Sequence, residues 1–178
     1  LHLMIDSVKT RKNETIFDKN IKIFYSNDTA KQLISDILPK GWDKLLASGK
    51  NFDEIKNCRK AITASGTITL ELALMNIPMI IMYRLSPITF FIMKNLIKLK
   101  YIGLVNLILG DTLGSRPIVK EFIQPNYSDV VQTMVELNNI ERDSQYRENI
   151  EKSYDDIRKI LKPGASSNVA KLAEHMLN

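Results

Sequence analysis

The chain has 178 residues, of which 44% are hydrophobic and 25% are charged, so it can bury the core of one domain. One cysteine, seven glycines and six prolines exclude a disulfide scaffold, a collagen-like repeat and extended disorder. Most of the net charge of +5 comes from residues 72–110, an apolar stretch with four basic residues and no acidic one. No nucleic-acid-binding motif accompanies this charge, so no nucleic-acid partner is predicted.

Strand and helix patterns alternate along most of the chain. Short apolar runs predict strands, and apolar residues that recur every three or four positions predict helices. The predicted strands are residues 21–25, 44–47, 60–64 and 78–83. The predicted helices are residues 28–38, 52–58, 67–75 and 87–99. This alternation predicts an α/β fold with a Rossmann-like parallel sheet.

The last third of the chain favours helices. A loop is predicted after residue 99, and residues 118–123 are ambiguous between strand and helix. Three helices should then form a C-terminal helical extension, over residues 128–137, 142–161 and 166–177. We expect a Rossmann-like domain at residues 1–140 and C-terminal helices at 141–178.

The start of the chain predicts a piece of a larger fold. The sequence begins Leu1-His2-Leu3-Met4 without an initiator methionine, and an alternative start codon would give the same beginning. It shows no charged region followed by an apolar run, so no signal peptide is expected. No apolar run approaches the ~20 residues of a membrane span. His2 and His175 stand near the two ends and are expected on the surface.

A candidate anion site follows the predicted strand 60–64. Ser65-Gly66-Thr67 leads into a helix, where small residues let backbone N–H groups approach a diphosphate at the positive end of the helix dipole. Glu71, four residues after Thr67, could accept hydrogen bonds from a ribose diol. The alternative is structural, with Ser65 as the N-cap and Glu71 complementing the dipole.

Further polar residues stand near the ends of the later strands. Arg84 ends the strand 78–83 and could bind a diphosphate bidentately or pair with a surface carboxylate. Asn106 interrupts an apolar run, as either a loop cap or a ligand contact. Glu121 and Gln124 are three residues apart and could share a helical face, although surface exposure explains them equally well.

The helix predicted at residues 87–99 is apolar nearly all round, and its only charges are basic. Core packing is the usual explanation for such a helix. The basic and aromatic pattern also fits a segment that dips into an anionic membrane surface. The membrane-facing candidates are Phe90, Phe91, Lys94, Lys98 and Lys100.

These motifs together resemble the lipid-A-disaccharide synthase family, whose members are glycosyltransferases of the GT-B fold. The resemblance covers roughly residues 21–178, is strongest at 60–125, and corresponds to the C-terminal half of that fold. The matching pieces are ITASGTITLELAL (62–74), MYR (82–84), the segment 87–98 with Thr89 and Phe90, YIGLVNLILG (101–110) and EFIQ (121–124).

The resemblance implies a reaction and a donor site. The reaction transfers 2,3-diacylglucosamine from UDP-2,3-diacylglucosamine to 2,3-diacylglucosamine 1-phosphate, with inversion, forming a β-1,6 disaccharide and UDP. UDP-sugar is a substrate, and no cofactor or metal is implied. The residues implied in UDP binding are Ser65, Gly66, Thr67, Glu71, Arg84, Asn106, Glu121 and Gln124.

The sequence departs from the family pattern in several places. Val105 and Lys120 stand where the family usually has proline, so two segments lack proline's restricted φ. The Gly-Ser-Arg turn that normally follows the first strand is missing. The N-terminal acceptor domain, which should hold the general base, has no counterpart, so no catalytic residue is assigned and the chain alone is expected to be inactive.

The resemblance also implies partners and a location. The enzyme should be cytoplasmic and peripheral on the inner face of the inner membrane, with the missing N-terminal half as partner and a homodimer left open. A second hypothesis is a non-catalytic nucleotide- or membrane-binding module from a split gene. Related UDP-sugar epimerases are disfavoured, because they have no use for a basic, aromatic, membrane-facing helix.

Overall fold

A computed structural model describes residues 21–64, 66–86, 103–112 and 118–161, together with residues 89, 91 and 101. The predictions for residues 1–20 and for the helix at 166–177 lie outside these residues. Most of the predicted helix at 87–99 does so too.

The strands in the described part of the chain run parallel and form two sheets. β1 (Ile23–Tyr25) pairs with β2 (Leu46–Ser48). In the second sheet, β4 (Met79–Tyr83) lies between β3 (Ala61–Thr63) and β5 (Lys120–Ile123). This parallel arrangement confirms the predicted α/β class.

Helices follow or connect the strands, and side-chain caps mark where several of them begin. The α-helices with both ends in the described part of the chain are α1 (Asp28–Ser35), α2 (Phe52–Lys56), α3 (Thr67–Leu74), α4 (Leu104–Leu107), α5 (Tyr127–Arg142) and α6 (Ser144–Ile160). Asn27 caps α1, Asn51 caps α2, and Asn126 forms a reciprocal capping box with Asp129 at the start of α5.

The structure moves some of the predicted boundaries. A 3-10 turn occupies Asp43–Leu45, so the second strand begins at Leu46, where it pairs in register with β1. Part of the loop predicted after residue 99 is helical instead, because α4 runs directly into a π-helical turn at Ile108–Thr112. Within the ambiguous segment 118–123, Lys120–Ile123 form β5, since β4 offers them a hydrogen-bonding partner.

The core lies around β4 and includes the C-terminal helices. Met79, Ile80, Ile81 and Met82 are at most 4% exposed, as expected for a strand covered on both faces. The main cluster of buried side chains also contains residues from α5 and α6: Leu137, Ile140, Ile150, Tyr154 and Ile157. The predicted helical extension therefore packs into the same core as the sheet.

Arg158 of α6 should stabilise the fold by donating hydrogen bonds to backbone carbonyl groups at the C-terminal end of α3. Its Nη1 donates to the carbonyl oxygens of Ala73 (3.0 Å) and Leu74 (3.3 Å), the last two residues of α3, and the Ala73 oxygen also accepts from the Asn76 N–H. We expect Arg158→Met, which keeps much of the apolar stem, to lower the free energy of unfolding by about 1–2 kcal/mol in urea denaturation. The neighbouring Lys159→Met removes only an exposed pair with Asp156 and should leave the urea midpoint unchanged. Equal midpoints for the two variants would contradict this role.

Candidate nucleotide site

The carboxyl ends of β3, β4 and β5 lie at one edge of the sheet. Thr63 pairs with Ile81, and Tyr83 pairs with Ile123, so the residues that follow these strands emerge on the same side. Gly66 follows β3, Arg84 follows β4 and Gln124 follows β5. The edge that parallel α/β folds use for ligands therefore carries three of the sequence-predicted site residues.

The start of α3 has the geometry of an anion-binding turn. Gly66 is the N-cap residue and has φ +123°, a conformation that favours glycine. No side chain caps the helix, and its first turn carries no acidic residue. A Cβ on Gly66 would meet nothing within 4 Å, so the turn is open to an approaching group. The N–H groups of Thr67 and Ile68 are thus available to an anion, whereas the Thr69 N–H is used within the turn.

Thr69 stabilises this turn from the buried side. Its hydroxyl donates to the Gly66 carbonyl at 2.7 Å, its backbone N–H donates to the same oxygen at 3.1 Å, and its side chain is fully buried. The sequence interpretation did not include Thr69. The only indication of its role in the sequence is its position, three residues after Gly66.

Two further residues of this turn were singled out from the sequence. Ser65 lies outside the described residues, and the N-cap position belongs to Gly66, so the alternative with Ser65 as N-cap is wrong. Glu71 is half-buried one turn into α3, and its carboxylate has no ion-pair or hydrogen-bond partner in the described part of the chain. A carboxylate complements the helix dipole best in the first turn, and Glu71 lies beyond that turn.

Arg84 and Gln124 lie together at the ends of β4 and β5. Arg84 is exposed, and within the described ranges its guanidinium has no carboxylate partner. Gln124 donates from its backbone N–H to the Tyr83 carbonyl at 2.9 Å and from Nε2 to the Leu85 carbonyl at 3.1 Å. The hypothesis that Glu121 and Gln124 share a helical face is wrong, because β4 draws this segment into a strand.

Asn106 and Glu121 form a polar cluster beneath this edge. Asn106 is fully buried, and its Nδ2 donates to the Val119 carbonyl (2.7 Å) and to Glu121 Oε1 (2.6 Å). Asn106 Oδ1 accepts from the Val119 N–H at 3.2 Å. Asn106 therefore pairs with the backbone beside β5 as a neighbouring strand would. The prediction of a loop cap is wrong, because the residue lies in α4 and bonds to β5.

Gly103 completes the cluster, and its role was missed in the sequence. Its N–H donates to Glu121 Oε1 at 3.2 Å. A Cβ at this position would collide with Ile81 Cδ1, so the start of α4 lies close against the sheet and a larger residue would have to displace the Ile81 side chain. Val105 is fully buried beside Asn106. The segment that lacks the family's usual proline is thus held by side-chain hydrogen bonds.

A cavity of about 370 Å³ lies along β5 next to this cluster. Its lining includes Asn106, Glu121, Tyr101 and Tyr146. The Tyr146 hydroxyl donates to the Glu136 carboxylate, and burial together with this partner raises the pKa of Tyr146 well above its usual range. Tyr146 is therefore neutral at physiological pH.

The membrane-facing prediction is only partly covered. Phe91 has helical backbone and is 68% exposed, whereas Phe90, Lys94, Lys98 and Lys100 lie outside the described residues. Among helices in the described part of the chain, none combines the length and apolar character needed to cross a bilayer. The same residues hold no His, Cys, Asp and Glu cluster suited to a metal ion.

The parallel strands define a Rossmann-like α/β protein, and the open turn before α3 is a candidate anion site at the carboxyl edge of its sheet. Within that class, the sequence model of the family described as lipid-A-disaccharide synthetase matches residues 3–176, so the chain belongs to this family. No solved structure matches the chain.

Individual relatives share part of their length with this chain. The lipid-A-disaccharide synthase of Syntrophotalea carbinolica is 32% identical over 79% of this chain and 34% of its own length. The enzyme of that name from Trichlorobacter lovleyi is 38% identical over 53% of this chain and 23% of its own. The lipid-A-disaccharide synthase of Nitrosococcus oceani is 32% identical over 72% of this chain and 32% of its own length. The chain thus spans about a third or less of the curated relatives it matches.

Replacing Asn106 by aspartate should break the polar cluster. Asn106→Asp removes both amide hydrogens and places a buried carboxylate against Glu121 Oε1 and the Val119 carbonyl. We expect a loss of about 3 kcal/mol in urea denaturation at pH 7. Burial raises the folded-state pKa of the new carboxyl above its unfolded value, so the loss should shrink as the pH falls from 7 towards 5.

A second substitution and a control variant test whether the buried charge causes this loss of stability. Adding Glu121→Gln to Asn106→Asp removes the facing charge and restores a donor, so it should recover part of the lost stability. Asn139→Asp, on the exposed face of α5, makes the same change in solvent and should shift the midpoint little. A pH-independent loss would show that charge burial is not its cause.

Proposed function

We propose that this chain binds the UDP part of a UDP-sugar donor in the reaction of its family. The observation that carries the proposal is the uncapped start of α3 at Gly66 and Thr67, at the sheet edge where the exposed Arg84 also emerges. Both features attract a diphosphate: the first through backbone N–H groups and the helix dipole, the second through a guanidinium fork.

Glu71 supplies the second half of the proposed donor site. Its carboxylate lies one turn into α3 from the diphosphate turn, is half-buried and has no partner within the described residues. A ribose diol offers two hydroxyl donors that such a carboxylate can accept. We assign Glu71 to the ribose of UDP, with Ser65, Gly66 and Thr67 at the diphosphate.

The proposed reaction transfers 2,3-diacylglucosamine from UDP to the 6-hydroxyl of 2,3-diacylglucosamine 1-phosphate. That oxygen attacks the anomeric carbon from the face opposite UDP, so the configuration inverts and a β-1,6 bond forms as the bond to the diphosphate breaks. Negative charge builds on the departing diphosphate, where Arg84 and the N–H groups of α3 stabilise it. The relatives are about three times as long as the segments they share with this chain, and we propose that their other residues supply the general base.

Calorimetric titration of UDP into the chain tests the donor site. We expect saturable binding, weakened about tenfold or more by Arg84→Ala, since a charge-assisted contact to phosphate contributes roughly 1.5–3 kcal/mol. Glu71→Gln should weaken binding of UDP and of uridine alike, because it acts on the ribose.

The matched control is Arg59→Ala. Arg59 is an exposed arginine that precedes β3 and so lies at the opposite edge of the sheet. It should leave the UDP affinity unchanged. A chain that is folded by circular dichroism but shows no binding at millimolar UDP would overturn the proposal, as would equal losses from Arg59→Ala and Arg84→Ala.

We propose further that the basic, aromatic segment 87–100 contacts an anionic lipid surface. The exposure of Phe91 supports this, because moving a large aromatic side chain from water into the interfacial region of a bilayer lowers the free energy. Lys94, Lys98 and Lys100 add charge of the sign that anionic lipid attracts. The acylated substrates of the proposed reaction are found in such a membrane.

Sedimentation with vesicles of phosphatidylglycerol and phosphatidylcholine tests this contact. We expect Phe91→Ser to reduce binding about tenfold, since burying a large apolar side chain contributes about 1.5–3 kcal/mol. Replacing the three lysines by glutamine should abolish the dependence on anionic lipid and on salt. Phe52→Ser removes another exposed phenylalanine, at the start of α2, and should change little. Equal effects of Phe91→Ser and Phe52→Ser would contradict a specific membrane segment.

A further inference from the structure

Gln124 adopts a backbone conformation that its own sequence context disfavours. Its φ is +53°, in the left-handed region that residues other than glycine seldom enter. Pro125 follows it, and a residue before proline prefers an extended backbone. Such a conformation persists only where the surrounding structure holds it, and these positions cluster at functional sites.

Two hydrogen bonds from Gln124 enclose Arg84 between their acceptors. The backbone N–H of Gln124 donates to the Tyr83 carbonyl, one residue before Arg84, at 2.9 Å. Its Nε2 donates to the Leu85 carbonyl, one residue after Arg84, at 3.1 Å. Arg84 itself lies beyond the end of β4, and its side chain has no partner in the described ranges.

From this geometry we propose that Gln124 is a positioning residue that holds the backbone of Arg84 at the sheet edge. The inference rests on the proposed donor site, since it assigns Gln124 an effect on UDP through Arg84 rather than through direct contact. The strand ladder ends at the Tyr83–Ile123 pair, and the two bonds from Gln124 extend it over the residue that carries the guanidinium.

The side chain of Gln124 is matched to this role. Leu85 offers a carbonyl oxygen, so its partner must be a donor that reaches across from the neighbouring strand. Glutamate has the same length but, when ionised, can only accept, and it would repel the Leu85 oxygen. Glycine would relieve the backbone strain at φ +53° and keep the bond to Tyr83, but it would lose the bond to Leu85.

The test measures the part of nucleotide affinity that depends on the diphosphate. UDP and uridine are titrated into the full 178-residue chain and into the variants Gln124→Gly and Gln124→Glu. We expect both variants to weaken UDP about fivefold to tenfold and to leave uridine unchanged, as for the loss of one or two orienting hydrogen bonds. In the background of Arg84→Ala, Gln124→Gly should cause no further loss, because the residues act as one unit.

A second measurement needs no ligand. The NMR order parameter of the Arg84 backbone amide should be near the rigid value of about 0.85 in the parent chain and should fall clearly in Gln124→Gly. The control is Asn76→Gly, which relieves the other non-glycine positive φ among the described residues (+60°), at the turn before β4 and hence at the opposite edge of the sheet. It should change neither the order of Arg84 nor the UDP affinity.

Two other patterns of affinity overturn the inference. Equal losses for UDP and uridine would mean a general structural effect or a contact to the nucleoside. Additive losses with Arg84→Ala would mean that Gln124 contacts the diphosphate itself. If no chain binds UDP, the proposed donor site fails, and the Arg84 amide alone decides: unchanged order in Gln124→Gly refutes the positioning role, and a selective loss of order supports it.

Discussion

The burial of β4 is the constraint on which the rest of the structure depends. Four of its five residues are almost completely removed from water, so its backbone groups must find partners in neighbouring strands. β3 and β5 supply them in parallel register, which brings their carboxyl ends to one edge. Because Arg84 and Gln124 directly follow β4 and β5, and Gly66 lies three residues after the end of β3, the candidate site is a consequence of that pairing.

Side chains that are not aimed at a ligand shape the backbone of the site. Thr69 fastens the turn of Gly66 from inside the protein, and Gln124 fastens the backbone on both sides of Arg84. The Glu71 carboxylate and the Arg84 guanidinium have no partner in the described structure, and these are groups that we assign to UDP. The chain thus separates the residues that position the site from those we assign to the ligand.

The Asn106 and Glu121 pair belongs to the first group. The resemblance implies that both line the donor cleft, and both do border a cavity along β5. Yet the two amide hydrogens of Asn106 already bond to Val119 and Glu121, inside a fully buried cluster. In this chain, the pair ties α4 to the edge of the sheet, where the family usually has prolines.

The sequence by itself determined the parallel α/β class, the apolar centre of the sheet and the turn before α3, because hydrophobic period and glycine placement are local properties. The motifs of the sequence also indicated the family to which the chain belongs. Only the tertiary structure decided that Lys120–Ile123 form a strand, that Asn106 bonds to Val119 and Glu121, and that Gln124 reaches Leu85. Each of those outcomes depends on a partner far away in the chain, and a local pattern holds no information about which partner folding will bring alongside.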